Sequence, residues 1–225
     1  MIKIDDEYLL NANENCYTLE RISTIEDTSS PNYGKETKTI QGYYTTIESA
    51  LNGYIKCQIR KFISKVNETE YNREPVVDVT GLVNGTGTTA IYNHPKQEVS
   101  VRRNDIVIYT IRVYNEGSQD GYAAEIKDDV PDGLVFIPEN ETNKTYRWKM
   151  FDKDGNKTDD PTKAEYIRTD YLAKENEKEA GENLLKAYNK ETMKEPDYRD
   201  VKVIFKVSEP NTSDRIIINK AEISK

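Results

Sequence analysis

Residues 99–136, VSVRRNDIVIYTIRVYNEGSQDGYAAEIKDDVPDGLVF, constrain the fold more than any other part of the chain. Residues 106–114 are an almost unbroken run of β-branched and aromatic side chains. Side chains alternate along a strand, so Ile106, Ile108, Thr110 and Arg112 share one face, and Val107, Tyr109, Ile111 and Val113 the other. A strand that is nearly apolar on both faces is one that its neighbours cover on both sides. Asn115-Glu116-Gly117 ends the run, because Asn and Gly tolerate the backbone angles of a turn. The chain returns with Ala124, Ile126 and Asp128 on one face and closes on Pro131-Asp132-Gly133. An aspartate in line with core residues needs a reason, since a buried carboxylate must be paired, hydrogen-bonded or neutralised.

The rest of the chain extends the β pattern. Residues 146–151, 166–172, 198–207 and 215–223 read as strands, the last with Ile217, Asn219, Ala221 and Ile223 on its inner face. Residues 140–200 form a long insertion, with a short helix in the charged stretch 173–189 interrupted by Gly181. Ahead of all this, short strands at 2–4, 8–10, 17–25 and 37–44 make a meander. Ile47, Ala50, Leu51, Tyr54, Ile55, Ile59, Phe62 and Ile63 then recur at spacings of three and four, one apolar face of a helix over residues 46–63 with Thr45 or Thr46 as its cap. The expected organisation is two domains. A small α+β unit (β-meander plus one helix) spans 1–66, and a polar linker spans 67–74. An all-β immunoglobulin-like sandwich with a partly helical insertion then spans 75–225.

Composition narrows the function. A net charge of −8 argues against nucleic acid or an anionic membrane as the partner of the whole surface. No stretch approaches the roughly 20 apolar residues of a membrane helix. The N-terminus lacks the pattern of a secretory signal, and the C-terminus lacks a wall-sorting motif or an apolar tail. Cys16 and Cys57 are too few for a disulfide scaffold, and two thiols or one bridge remain open. His94 is the one histidine, so no Ser-His-Asp triad with a second histidine and no His/Cys metal set can be built. The Gly-Thr-Gly at 85–87 lacks the Gly-Lys-Ser/Thr of a phosphate loop. Residues 152–160 fail as a calcium loop, with Lys157 and Lys163 where Gly and Glu belong. Asp128-Asp129 and Asp159-Asp160 are neighbours whose side chains diverge in a strand, which makes them poor acid–base pairs. The expectation is a non-enzymatic protein with no cofactor and no metal.

The phrases VxxxDIVIYTIRVYNEG, EIKDDVPDGLVF and NKAEIS, in that order, resemble the conserved-repeat, immunoglobulin-like domains of bacterial cell-surface proteins, catalogued as domain of unknown function 11. The matching positions are Asp105, Tyr109-Thr110-Ile111, Asn115, Gly117, Asp128, Pro131, Gly133-Leu134, Phe136, Asn219, Ala221 and Ile223, within residues 75–225. The longer phrasing is similar to surface proteins of clostridia-like Firmicutes. The resemblance implies a stalk or adhesin module at the cell surface or secreted, with a protein or a cell-wall glycan as partner. Without a leader or anchor in the sequence, the cytoplasm is the alternative. Residues 1–65, with GYYTTIESALNGYIKCQIRKFIS, resemble small phage and mobile-element proteins of Gram-positive bacteria. They carry the alternative function: an N-terminal unit that binds a partner or nucleic acid through Lys56, Arg60, Lys61 and Lys65. A solvated helix face explains those cations more simply.

Related surface sandwiches can close an intramolecular Lys–Asn isopeptide bond, with a buried acid as proton shuttle. The amine must be neutral to attack, and burial lowers its pKa. The same desolvation keeps a carboxylic acid protonated. The set implied here is Lys61, Asp128 and Asn219. It requires Ile59, Lys61 and Ile63 to share a strand face, and a helix through Ile63 forbids that. The helical spacing is the better match. The expectation is therefore a helix, with Asp128 and Asn219 hydrogen-bonding backbone groups.

Overall fold

The structure is a computed structural model and describes residues 2–3, 8–12, 17–25, 30–44, 56–87, 89–210 and 216–224. Its contacts divide the chain into two compact units, Met1–Lys56 with Gly117–Gln119, and Cys57–Glu116 with Asp120–Lys225. In the first unit β1 (Ile2–Lys3), β2 (Tyr8–Ala12), β3 (Tyr17–Thr24) and β4 (Glu36–Tyr44) form an antiparallel sheet in chain order. Leu9 and Leu10 of β2 are buried. This is the meander that the alternation of the sequence places there.

The second unit holds β5 (Cys57–Val66), β6 (Thr69–Glu70), β7 (Val76–Asp78), β8 (Ile91–Asn93), β9 (Ile106–Asn115) and β10 (Glu125–Asp129). It continues with β11 (Leu134–Phe136), β12 (Lys149–Phe151), β13 (Lys157–Thr158), β14 (Tyr166–Thr169), β15 (Asp197–Val207) and β16 (Ala221–Ser224). Two antiparallel five-stranded sheets form, in the orders β11-β15-β9-β5-β6 and β13-β12-β14-β10-β16, beside the small β7–β8 ribbon. Both sheets send side chains into one apolar core: Val107, Ile111, Val113, Val201, Val203 and Phe205 from the first, Ile126, Met150 and Ile167 from the second.

Strand β9 explains its own sequence. It is hydrogen-bonded on one side to β15 and on the other to β5 over nearly its whole length. Its inner face is core. On its outer face Tyr114 is covered by Ala90, Tyr92, Val77, Leu82 and Tyr198. Arg112 is buried there only because Asp200 takes it in a two-pronged ion pair, with Glu74 at 3.1 Å. Such a planar fork satisfies the donors that burial would otherwise strand.

Five expectations are corrected. Residues 57–63 are strand β5, not the end of a helix. Ile59 and Ile63 pack on the core while Phe62, on the opposite face, lies 5.7 Å from the Arg112 guanidinium. A strand apolar on both faces produces the i, i+3, i+4 pattern of a helix, and pairing with β9 decides between them. The rest of that helix, residues 46–55, lies outside the described residues. Accordingly Cys57–Val66 belongs with the second unit rather than with residues 1–66. The stretch 67–74 is not all linker, since β6 folds back on β5 through a turn at Asn67. In the insertion, the charged stretch 173–189 holds a single 3-10 turn, Lys174–Asn176, and the α-helical turn is instead Glu141–Thr145. From that turn the buried Asn143 side chain exchanges two hydrogen bonds with Ile204 of β15, at 2.9 Å each, in the manner of a neighbouring strand. The insertion thereby satisfies part of a sheet edge. The last strand is also shorter than expected, β16 beginning only at Ala221.

Candidate functional site

Two strands on opposite sheets aim charged residues at each other through the core. On β5, Lys61 lies directly opposite Ile111 of β9, so it points inward with Ile59 and Ile63. On β10 the alternation buries Ile126 and Asp128, at 1% and 0% exposure, and leaves Asp129 outside. The Lys61 Nζ sits 2.5 and 2.6 Å from the two carboxylate oxygens of Asp128. The lysine side chain is 5% exposed. The aromatic face of Tyr109 lies 4.5 Å from Nζ and that of Phe205 5.5 Å away.

Asn219 comes to the same place by register. Asp128 pairs with Ala221 across β10 and β16, and Asn219 is two residues before Ala221. The Asp129 amide still donates to the Lys220 carbonyl, at 3.4 Å, so the ladder reaches toward Asn219. Ile217, two residues earlier again, packs against Gly133 of the Pro-Asp-Gly corner. A β-carbon on Gly133 would lie 2.7 Å from Ile217 Cδ1, and the glycine has φ +92°, so only glycine lets this segment close in. Asn219, Lys61 and Tyr109 line one cavity of about 670 Å³.

Both polar atoms of the Asn219 amide, Oδ1 and Nδ2, are buried and neither has a hydrogen-bond partner. Leaving a buried polar group unpaired costs about 1–3 kcal/mol, so such an amide is an exception that needs an explanation. The Tyr109 hydroxyl is near enough for the amide to favour its ionised form slightly, but the pair falls short of hydrogen-bond geometry.

Burial dominates the protonation of the pair. It lowers the Lys61 ammonium to about 8 against the opposing pull of Asp128. It raises the Asp128 carboxyl to about 6 against the opposing pull of Lys61. In water, moving a proton from a lysine ammonium to an aspartate costs about 9 kcal/mol. Burial moves the two groups toward each other, so the neutral pair, free amine beside carboxylic acid, is far more accessible here than in water. What the arrangement can do follows: an uncharged amine, an acid that can give and take a proton, and an unpartnered amide on the wall of the cavity that the lysine lines are the components of amide exchange.

This assignment has a pH signature. The ion pair and the neutral pair hold the same number of protons, so the reactive form peaks between the two macroscopic steps. Below about 6 the acid gains a proton and the lysine stays an ammonium; above about 8 the amine is free but the acid is ionised. The rate of ammonia loss from freshly folded protein, followed by mass spectrometry, is expected to be bell-shaped with limbs near those values. A rate that climbs steadily into alkali would remove Asp128 from the chemistry.

The other cations named from the sequence form no helical face. Lys61 is internal, Arg60 lies 4.4 Å over the Tyr92 ring, and Lys65 pairs with Glu70 at 3.1 Å. The Cys16–Cys57 question rests on Cys16, outside the described residues. Among the described residues, no helix is long and apolar enough to cross a membrane, and no cluster of three or more His, Cys, Asp or Glu side chains could hold a metal. Sequence reasoning placed Tyr109 on the inner face but gave it no chemistry, and it missed Phe205 beside the lysine. The alternation of β9 and β15 held the signal for both. Comparison with protein-family models, with curated proteins and with solved structures yields no match for the chain.

Proposed function

We propose that this chain is a non-enzymatic, load-bearing module of stalk type, of the immunoglobulin-like sandwich class of bacterial surface proteins, whose second unit locks itself with an isopeptide bond. The Lys61 Nζ, as free amine, attacks Cγ of Asn219 while the Asp128 carboxyl polarises the carbonyl, on whose oxygen negative charge gathers. Asp128 then takes a proton from Nζ and delivers one to Nδ2. The Cγ–Nδ2 bond breaks, ammonia leaves, and an Nζ–Cγ amide remains. One lysine acts once on one asparagine, so there is no turnover. The observation that carries the reading is the buried Lys61–Asp128 pair together with a buried amide, without a partner of its own, on the wall of the cavity that Lys61 also lines. An unpaired amide is costly as an asparagine side chain and is consumed when the bond forms.

The position of the bond fits mechanical load. Lys61 lies near the start of the second unit and Asn219 near its end. Force applied through the chain would pass across the new amide and bypass the strands between. Single-molecule pulling tests this. In Asn219→Ala the chain between the two positions, about 550 Å when extended, is expected to be released. In the wild type it is expected to stay closed. Release of the full length from the wild type would end the reading.

A further inference from the structure

We infer that Tyr109 is a fourth member of this site, its ring face seating the Lys61 amine and its hydroxyl donating a hydrogen bond to the Asn219 carbonyl oxygen as the tetrahedral intermediate forms. The inference rests on the bond proposed above. Tyr109 stands diagonally across from Lys61 on the neighbouring strand, since Lys61 pairs with Ile111 and Ile63 with Tyr109. That diagonal lies within reach of long side chains. It is 8% exposed and held edge-on by Phe205, at 6.0 Å between ring centres, so the ring has little freedom.

The chemistry asks for a group at this position. When Nζ attacks Cγ, negative charge gathers on Oδ1, which has no partner in the ground state. Asp128 already has both oxygens on Lys61. It must collect the proton that Nζ loses, so a second donor beside the amide relieves it of holding the oxyanion as well. The Tyr109 hydroxyl is the neighbouring group with a proton to offer. Burial and the Asp128 charge push it up to about 12, so it remains a neutral donor throughout the working range. Rotation about χ2 of Asn219 exchanges the ends of its amide and brings Oδ1 to the hydroxyl. A donor preorganised in an apolar site and aimed at developing charge accelerates acyl chemistry by about 10²–10³-fold.

The test compares wild type with Tyr109→Phe, which keeps the ring and removes the hydroxyl. Each full-length chain is made in a short cell-free pulse, and ammonia loss is followed by intact mass at several pH values. Folding is checked by circular dichroism and Trp148 emission. Tyr109→Phe is expected to close about 100-fold more slowly, with the limbs of its pH profile unmoved. Closure within twofold of the wild-type rate would overturn the inference. So would a slow variant whose pH limbs shift, because Tyr109 would then act through the packing of the Lys61–Asp128 pair. Should Tyr109→Phe fail to fold, 3-fluorotyrosine at position 109 keeps the shape and makes the hydroxyl a stronger donor. Faster closure is expected, and unchanged closure would count against the role. A wild type that never loses ammonia would instead defeat the bond itself.

Discussion

Asn219→Ala is expected to lower the melting temperature of the second unit by about 10–20 °C. An isopeptide between residues 61 and 219 closes a loop of about 158 residues, which by the chain-entropy account of cross-links stabilises by about 5 kcal/mol. For a domain of this size each kcal/mol moves the melting point by about 2–4 °C. The sign of the result matters more than its size. If no bond forms, Asn219 is simply a buried amide with two unpaired polar atoms. Replacing it by alanine would then remove an unsatisfied group and leave stability unchanged or higher. A fall in melting temperature and a rise are opposite outcomes of one calorimetric scan.

Asp128→Ala is expected to be worse than Asn219→Ala, for a second reason. It abolishes closure, since the Nζ proton then has no acceptor and the leaving nitrogen no donor. It also strands Lys61, whose side chain has 5% of its surface exposed and both ionic contacts on Asp128. Removing one partner of a buried ion pair costs about 3–5 kcal/mol. That loss adds to the absent bond. The paired substitution Lys61→Met with Asp128→Val should recover most of it, because a well-packed apolar pair replaces a desolvated ionic one at little or no cost. Denaturant melts of the three variants give the order: Asp128→Ala least stable, Asn219→Ala and the double variant close together above it, wild type highest. If Asp128→Ala equals Asn219→Ala, the lysine escapes to solvent and the pair is not as buried as its geometry implies.

Much of the frame was legible in the sequence. The two-faced apolar run of β9 announced a central strand, and pairing on both sides bears that out. The alternation Ile126, Asp128 put the carboxylate inward, where it is. Strand β5 was not legible. Ile59, Phe62 and Ile63 satisfy helical spacing by sitting on two faces of a strand, and nothing within those ten residues says so. The choice is made by β9, more than forty residues away in sequence, through a hydrogen-bonded register that local periodicity does not encode. That single misreading also set aside the Lys61, Asp128 and Asn219 set that the resemblance implied, because Lys61 reaches Asp128 only from a strand. Asn219 was placed on the correct face but in a longer strand. Its segment is held instead by Ile217 against Gly133, a close approach that a lone glycine in the sequence does not announce. Tyr109 was visible as an inner residue, yet its relation to Lys61 is a diagonal across two strands and needs the register to be seen.

The intact mass of folded wild-type protein decides whether this site acts at all. It should be lighter than its sequence formula by one ammonia, and digestion should yield a branched peptide joining Lys61 to Asn219. Correctly folded protein at its full formula mass, with the two residues in separate peptides, would contradict the bond and leave Lys61 and Asp128 as a buried ion pair only.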